Sequence, residues 1–395
     1  MTVVGIGADG WDGLPVASRN ALLEAEVVFG SERQLALLDA SVAAQRVGWP
    51  TPLLPALPGL LAAHSDRRAV AMASGDPMLY GIGATLVRLL GTAAVDVLPH
   101  PSSVSLAAAR LGWPTDDVDV VSLVGRPLAT LHPALQPGRR VLVLVGSQTG
   151  ADEVRELLDT RGFGGSAVTV LERLGGPHER ISQATGPHDP LAIVAVTCVL
   201  GPDTAALPRT PGLPEDAFDH DGQITKREIR ALVLAALVPV PGQLLWDVGA
   251  GSGSVGIEWM RVHPASRAIA IEPREDRRKR ITANAEELGV PGLQVVAGSA
   301  PDALVGLAPP DAVFVGGGVS VPGVIDSCVG ALAPGGRLVA NAVTVETEGV
   351  LASWHARLGG ELTRIAVQRA EPVGSFTGWR PAMPVTQWSY RKGLS

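Results

Sequence analysis

Apolar runs of strand length alternate with helically spaced segments along most of the chain. In the first half, runs at residues 2–6 and 141–145 precede helical patterns at 14–25 and 152–160. The second half repeats this alternation, with strands predicted at 244–246, 268–271, 293–297 and 311–315 and helices predicted at 254–262 and 274–288. Such alternation predicts α/β units with parallel strands. Two late runs, 362–368 and 383–389, are predicted to complete a seven-stranded sheet.

The stretch 244–256 holds a glycine-rich turn between a predicted strand and a predicted helix. Its apolar run ends in Asp247 and is followed by three glycines, Gly249, Gly251 and Gly253. Glycines allow a sharp turn and close approach to a ligand, and a helix N-terminus offers unpaired N–H groups. Glu272 ends the next apolar run, where an acidic residue in such folds holds a ribose. The stretch therefore predicts a nucleotide-type site.

Two ligands suit this turn, a dinucleotide and S-adenosylmethionine (SAM). Gly251, Gly253 and Gly256 satisfy the G-x-G-x-x-G pattern of dinucleotide sites. The string D-V-G-A-G-S-G at 247–253 instead resembles the first motif of the Rossmann-like SAM methyltransferases, and we favour SAM. The resemblance implies cofactor contacts from Asp247, Gly249, Ala250, Gly251, Ser252, Gly253 and Glu272.

Two further segments of the second half bear on the same site. Thr225 and Glu228 have the spacing of a capping box at the start of a helix. The string D-G-Q-I-T-K-R-E around them resembles the entry segment of the decarboxylating corrin C15-methyltransferases, which implies that Thr225 also lies against SAM. In SAM-dependent relatives the turn holding Ser299 and Ala300 borders the adenine.

The length and composition of the chain predict two domains joined by a linker. A chain of 395 residues exceeds the usual size of one core, and residues 201–214 contain four prolines and two glycines. We therefore predict domains at 1–200 and 218–395, joined by a linker at 201–217. Capping residues Ser31 and Gln34 predict a helix start in the first domain.

Charge and residue usage exclude several classes of partner. The chain has a net charge of −7, no basic stripe and no run of 18 apolar residues, so we expect neither a nucleic-acid partner nor a membrane partner. The N-terminus carries no leader pattern, which predicts a cytoplasmic protein. The histidines and the two distant cysteines have no metal-ligand spacing, so no metal site is predicted.

Three segments of the first half, taken together, resemble the tetrapyrrole methylase family. They are G-I-G-A-D-G at 5–10, S-G-D-P-M-L-Y-G at 74–81 and P-S-S at 101–103. The family has a non-Rossmann α/β fold of two subdomains with SAM in the cleft between them. The resemblance implies cofactor contacts from Gly5, Gly7, Gly75, Asp76, Pro77, Tyr80, Ser102 and Ser103. Relatives often carry a histidine where Val124 stands here, so no catalytic role is assigned to that position.

A tetrapyrrole methylase followed by a Rossmann-like methyltransferase resembles the fused corrin methyltransferases of vitamin B12 synthesis. The resemblance implies two SAM sites per chain, methylation of C5 and C15 of a corrin precursor, and decarboxylation of its ring C acetate. It also implies a homo-oligomer. No nucleophile–base arrangement is visible, which suits methyl transfer, and the catalytic residues stay unassigned.

The carboxylates of such a substrate require cationic partners when they leave water, and arginine binds a carboxylate through two parallel hydrogen bonds. Five arginines are candidates for this role: Arg126, Arg173, Arg227, Arg230 and Arg380. Arg380 lies in a segment, 374–381, that we predict to be an exposed loop.

Three other functions compete with this interpretation. The first is an NAD(P)-dependent oxidoreductase built from two nucleotide domains, although no residues for hydride transfer stand out. The second is an RNA or protein methyltransferase, against which the acidic composition weighs. The third is a SAM-binding or tetrapyrrole-binding module without turnover.

Overall fold

The apolar runs of the first 200 residues form two five-stranded sheets in the computed structural model, which describes residues 1–183 and 185–393. The strands of the first sheet are all parallel and follow the order β3-β2-β4-β1-β5. Its elements are β1 (Thr2–Ile6), α1 (Val16–Leu23), β2 (Val27–Gly30), α2 (Glu32–Ala36), β3 (Gln45–Gly48), α3 (Leu53–Ala62), β4 (Ala69–Ser74), α4 (Ile82–Leu90), β5 (Asp96–Leu98) and α5 (Ser103–Leu111).

The second sheet is mixed and follows the order β6-β7-β10-β8-β9. Only β6 and β7 pair in parallel, because the strands after them return in antiparallel directions. Its elements are β6 (Val118–Ser122), β7 (Arg140–Leu144), α6 (Gly150–Thr160), β8 (Ala167–Glu172), β9 (Arg180–Ser182) and β10 (Ala192–Thr197). The two sheets correspond to the two α/β subdomains that the resemblance implies.

The second half forms a seven-stranded sheet of order β13-β12-β11-β14-β15-β19-β16, as predicted. Its first five strands are parallel, and β19 and β16 are antiparallel additions at one edge. Its elements are α7 (Arg227–Leu237), β11 (Leu244–Val248), α8 (Ser254–Val262), β12 (Arg267–Glu272), α9 (Glu275–Glu287), β13 (Gln294–Ala297), β14 (Ala312–Val315), α10 (Val324–Ala331), β15 (Arg337–Ala342), α11 (Val345–Leu358), β16 (Glu361–Ile365), β17 (Gln368–Val373), β18 (Phe376–Pro381) and β19 (Val385–Arg391).

Strands β17 and β18 form a separate antiparallel hairpin. The prediction of a loop at 374–381 is therefore wrong for most of that segment, which is β18. The segment is short of buried positions, and Phe376 and Trp379 are exposed. Its strand geometry comes from pairing with β17 and not from burial on one face, so the sequence pattern does not show it.

The chain divides into two compact units. The first comprises Met1–Leu128 and Ala134–Thr204, and the second comprises Ala129–Pro133 and the chain from Ala205 onward. The division after Thr204 falls inside the predicted linker, while the predicted domain limits themselves stay predictions. Residues 184, 394 and 395, which those limits include, lie outside the described residues.

The end of the predicted linker is part of the core of the second unit. Leu213 is buried there with Phe218 and the apolar face of α7. The buried carboxylate of Glu258 accepts hydrogen bonds from the backbone N–H groups of Gly212 and Leu213, at 2.8 and 2.9 Å. These contacts fix the entry to α7. Among the described residues, no helix combines the length and apolar character needed to cross a bilayer.

Candidate functional site

The first unit contains a cavity of about 500 Å³ at the carboxyl edge of its parallel sheet. The residues that follow all five strands of this sheet line it, and strands of the mixed sheet close the other side. The carboxyl edge of a parallel sheet is the usual location of a ligand site in open α/β folds. Six of the predicted cofactor residues line the cavity: Gly7, Gly75, Asp76, Tyr80, Ser102 and Ser103.

Two predicted residues, Gly5 and Pro77, are not among the residues that line this cavity. A Cβ at Gly5 would collide with the carbonyl oxygen of Gly75 and lie 2.7 Å from the backbone nitrogen of His100. Pro77 packs against the start of α4, where a Cβ on Gly83 would lie 2.7 Å from the Pro77 Cβ. Both residues pack against the loops that line the cavity, on the side away from the cavity, and hold these loops together.

The lining residues Asp76, Tyr80 and Ser102 also shape their own loops. The Asp76 carboxylate accepts a hydrogen bond from the Met78 N–H at 2.8 Å. The backbone of Tyr80 has a positive φ of 53°. The Tyr80 hydroxyl donates a hydrogen bond to the Val120 carbonyl at 3.2 Å. Ser102 caps α5 by accepting from the Ser105 N–H at 3.0 Å. These hydrogen bonds fix the backbones of the loops that line the cavity. The lining glycines add no side chains on the cavity side of these loops.

The second unit contains a cavity of about 710 Å³, again at the carboxyl edge of its parallel strands. Eight predicted cofactor residues line it: Thr225, Gly249, Ala250, Gly251, Ser252, Glu272, Ser299 and Ala300. The structure therefore brings together segments that are more than 70 residues apart in the sequence, because the strand order places β11, β12 and β13 side by side.

Glu272 connects the glycine turn to the neighbouring strand. Its buried carboxylate accepts hydrogen bonds from the N–H groups of Gly251, at 2.9 Å, and Arg274, at 3.1 Å. Gly251 has a φ of 60°, and a Cβ there would meet only the Gln223 carbonyl oxygen, at 3.7 Å. A Cβ at Gly249 would lie 2.8 Å from the backbone of Gly317. The turn thus needs glycine both for its dihedral angles and for close approach of two loops.

Asp247 and Gly253, predicted as cofactor contacts, are not among the residues that line the cavity. Asp247 lies under the turn and accepts a hydrogen bond from the Gly256 N–H at 2.9 Å. Burial raises the pKa of its carboxyl to about 7, and the nearby Glu272 adds to the shift. A Cβ on Gly253 would lie 2.9 Å from Ile281, so this glycine serves packing. The alternation of side chains along β11 sends Asp247 away from the cavity.

The predicted capping box at Thr225 is wrong. Helix α7 begins at Arg227, its N-cap is Lys226, and no side chain caps it. The Arg227 N–H instead donates to the Glu215 carboxylate at 3.4 Å, which supplies from another segment the acceptor expected of Thr225. Thr225 is left on the cavity wall, at the position that the resemblance implied.

None of the five arginines proposed for substrate carboxylates lines either of these two cavities, as far as the described residues show. Arg126 stacks over the Tyr80 ring, with its guanidinium carbon 5.2 Å from the ring centroid. Arg173 is paired with Asp189, Arg380 with Glu371, and Arg227 is an exposed residue of α7.

Arg230 is a clear correction, since it is fully buried and has several acceptors. Its guanidinium donates to Glu258 at 2.7 Å, to the Thr225 carbonyl at 2.6 Å and to the Leu213 carbonyl. A guanidinium enclosed in this way holds its own backbone and has no free donor edge for a substrate. The alternation of apolar and polar residues on α7 did not show this buried ion pair.

The sequence analysis missed several lining residues. In the first cavity they include Arg33, Gln34 and Trp49. The capping box of Ser31 and Gln34, which the structure confirms, was the available signal, because it places a helix start directly after β2 at the carboxyl edge. In the second cavity the missed residues include Gln223, Asn341 and Met383. Val124, to which no catalytic role was assigned, lines the first cavity with an exposed apolar side chain.

Each half of the chain matches the model of a known protein family. Residues 1–188 match the model of the tetrapyrrole (corrin/porphyrin) methylases, and residues 216–392 match the precorrin methyltransferase domain. A precorrin-6Y C(5,15)-methyltransferase [decarboxylating] of Sinorhizobium sp is 48% identical over 100% of this chain and 96% of its own length. The chain belongs to the precorrin-6Y C(5,15)-methyltransferase (decarboxylating) family.

Two further proteins of this name are similar to the chain in sequence. The Mycobacterium tuberculosis (H37Rv) protein of the same name is 50% identical over 99% of this chain and 100% of its own length. The crystal structure of the C-terminal domain of the Rhodobacter capsulatus precorrin-6Y C5,15-methyltransferase is 50% identical, covering 47% of this chain and 100% of that chain with a TM-score of 0.45.

Membership of the precorrin-6Y C(5,15)-methyltransferase family confirms the predicted family and fold class. The chain is a methyltransferase of cobalamin biosynthesis, and its family uses SAM. The oxidoreductase, the RNA or protein methyltransferase and the binding module without turnover are therefore wrong.

Proposed function

We propose that each unit binds one SAM in its own cavity and performs one of two methylations on a precorrin-6Y-type corrin precursor. The first unit methylates C5. The second methylates C15 and removes the carboxylate of the ring C acetate as carbon dioxide, which leads to precorrin-8; the electron pair of the broken C–C bond enters the conjugated macrocycle, and a proton from water completes the methyl group that remains. One observation carries this proposal: two separate cavities are each lined by most of the residues that the resemblance assigns to SAM in that half.

The residues present suit SAM in both cavities. In the second, Gly251 leaves space that a side chain would fill, and Glu272 is a buried carboxylate at the position that binds a ribose in related folds. In the first, Gly75 has a φ of 58° and allows its loop to approach Ser102, whose Cα would lie 3.1 Å from an added Cβ. When bound, SAM supplies an electrophilic methyl group.

The chain's own contribution in both cavities is to hold the reactants and exclude water. In the first, the hydrogen-bonded loops of Asp76, Tyr80 and Ser102 form a rigid wall facing the mixed sheet. In the second, Gly316, Gly317 and Gly318 leave one wall without side chains, which leaves room for a broad, flat substrate.

The lining cations of the second cavity are already paired, and we connect this with decarboxylation. Lys226 donates to Glu215 at 2.9 Å and Arg277 donates to Asp221 at 2.9 Å. A substrate acetate directed toward Val321, Val343 and Met383 would leave water without gaining a cation. This raises the free energy of the carboxylate, and loss of carbon dioxide relieves it.

Calorimetric titration of SAM into the full chain, with NAD as the control ligand, tests the proposal. We expect two SAM per chain and no NAD binding. Incubation with precorrin-6Y and SAM should then give a product that has gained two methyl groups and lost one carbon dioxide by mass spectrometry. A stoichiometry of one, or a product with a single methyl group, would contradict the division of labour.

Self-association also belongs to this proposal, because the resemblance of both halves to known methyltransferases implies a homo-oligomer. Sedimentation equilibrium of the full chain should give a mass that is a multiple of 40.7 kDa. A monomer at micromolar concentration would contradict that part of the proposal and leave the two SAM sites unaffected.

A further inference from the structure

Arg33 lies at the wall of the first cavity, in the first turn of α2. The capping box of Ser31 and Gln34 starts this helix directly after β2, so the backbone that carries Arg33 is fixed at the carboxyl edge of the sheet. The Arg33 guanidinium donates to the Ser74 hydroxyl at 2.8 Å, and the Gln34 amide donates to the same oxygen at 3.1 Å. Arg33 is thus positioned beside the Gly75 loop.

The charged neighbours of Arg33 are already paired with each other. Arg173 donates to the Asp189 carboxylate at 2.5 Å. Within residues 1–183 and 185–393, no carboxylate lies within ion-pair distance of Arg33. Arg33 and Arg173 therefore share one neighbouring carboxylate, Asp189, and the cation that makes no bond to it, the surplus cation, is the one that lines the cavity.

The environment makes this surplus charge costly unless a ligand neutralises it. Burial and, next, the neighbouring Arg173 lower the pKa of the Arg33 guanidinium, whereas Asp189 opposes the shift. Arginine keeps its charge in such surroundings, so relief must come from an anion. A carboxylate bound through two parallel hydrogen bonds satisfies both the charge and the donors of a guanidinium.

We propose that Arg33 binds an acetate or propionate carboxylate of the tetrapyrrole substrate in the first cavity. The inference rests on the proposed function, since it names the cation that positions the substrate for C5 methylation. Arg33 is the arginine that lines this cavity among the described residues, whereas Arg126 and Arg173 are engaged outside its wall. It therefore replaces the five arginines suggested by the sequence as the carboxylate ligand of this half.

The test compares Arg33→Met and Arg33→Lys with the control Arg88→Met in the full chain. Arg88 is exposed on α4 and does not line the cavity. We expect Arg33→Met to raise the KM for precorrin-6Y in C5 methylation about 10- to 100-fold, the range for losing a hydrogen bond to a charged group. The kcat and the SAM affinity should change less than about twofold, and Arg33→Lys should fall between wild type and Met.

Each outcome has one meaning. An unchanged KM in Arg33→Met overturns the inference. A loss of SAM affinity equal to the rise in KM also overturns it, because Arg33 would then hold the cofactor. If the wild-type chain binds SAM in one site only and adds no methyl group at C5, the proposed function itself fails. The C15 methylation in the same incubation reports that the variant chain is folded, and it should match wild type.

Discussion

The glycines on which the two cavities depend are arranged differently along the chain. In the first unit, Gly5 and Gly75 let three loops pack against one another, since a Cβ on either would meet backbone atoms of the next loop. In the second unit, Gly249 and Gly251 have φ values of 69° and 60° within one continuous turn, which Glu272 holds by a hydrogen bond. In the first cavity these glycines lie in segments 70 residues apart, whereas in the second they lie within one turn, which packs against the distant Gly317.

The cavities also differ in charge. The first has the Arg33 guanidinium on its wall with no carboxylate partner among the described residues, whereas Lys226 and Arg277 of the second are both paired with acidic side chains. A cation suits a carboxylate that must be held and kept, while its absence suits a carboxylate that is to be lost. Under the proposed function, the difference teaches that the same cofactor serves two sites whose environments for a substrate carboxylate are opposite.

Substituting the glycines that bring the loops together gives the largest expected effect. Gly5→Ala should lower the rate of C5 methylation at least about 100-fold, because its Cβ collides with the Gly75 carbonyl. It should also lower the SAM stoichiometry in the titration by one per chain. Gly249→Ala should do the same to C15 methylation, because its Cβ would lie 2.8 Å from Gly317. Mass spectrometry of the products and calorimetry measure both.

The controls for these variants are Gly48→Ala and Gly330→Ala, where an added Cβ has no atom within 4 Å. Both should keep two SAM per chain and both methylations. If Gly5→Ala lowered the two activities equally, the separation of the two cavities would be refuted.

A smaller effect is expected from the pH dependence of Asp247. Its folded pKa of about 7 lies above the ordinary value, so its contribution to stability is complete below about pH 4 and is lost as the pH rises through about 7. Asp247→Asn keeps an acceptor for the Gly256 N–H and removes the titration. We expect it to reduce the difference in unfolding free energy between pH 5 and pH 8 by about 1–3 kcal/mol.

Urea unfolding of the full chain at the two pH values measures this effect. Unfolding is followed by tryptophan fluorescence, to which the buried Trp246 contributes. The control is Asp276→Asn, a half-exposed acid paired with Arg274. It should change the unfolding free energy by less than about 0.5 kcal/mol. An identical pH profile for wild type and Asp247→Asn would show that Asp247 does not titrate in this range.

The helix caps give the smallest expected effect. Ser31 accepts from the Gln34 N–H at 3.3 Å and Gln34 accepts from the Ser31 N–H at 2.8 Å, so Ser31→Ala should cost about 1 kcal/mol of stability in the first unit. Thr225 caps nothing, and Thr225→Ala should change stability by less than about 0.5 kcal/mol while weakening SAM binding in the second unit. Thermal unfolding and calorimetry separate the two, and equal destabilisation would restore the capping role of Thr225.

Local motifs explain how much of the site was predictable. The turn 249–253 was predicted because its glycines lie within a few residues, and its three glycines have positive φ. The segments around Gly7, Gly75 and Ser102 were predicted from the resemblance of short local strings to a known family. The capping box at Ser31 follows the same rule and is confirmed. The box predicted at Thr225 failed because the acceptor for the helix start comes from Glu215, outside the local window.

Side-chain direction could not be predicted in the same way. Asp247 belongs to the matched motif, yet the pleat of β11 turns it into the core. Arg230 stands on a helix next to the cavity, yet Glu258 from α8 holds it inside the protein. Arg33 carried no motif of its own and faces a cavity because β2 lies beside β4 in the first sheet.

From the amino-acid sequence by itself, the family followed from the resemblance of its motifs. The α/β alternation and the glycine turns followed from hydrophobic periodicity and backbone dihedral requirements, since these act between near neighbours. Only the tertiary structure decided which arginine lines the first cavity, which acid is buried and which cations are neutralised. Those properties depend on partners such as Asp189, Glu258 and Asp221, which come from other elements of the chain and approach only when the sheets are complete.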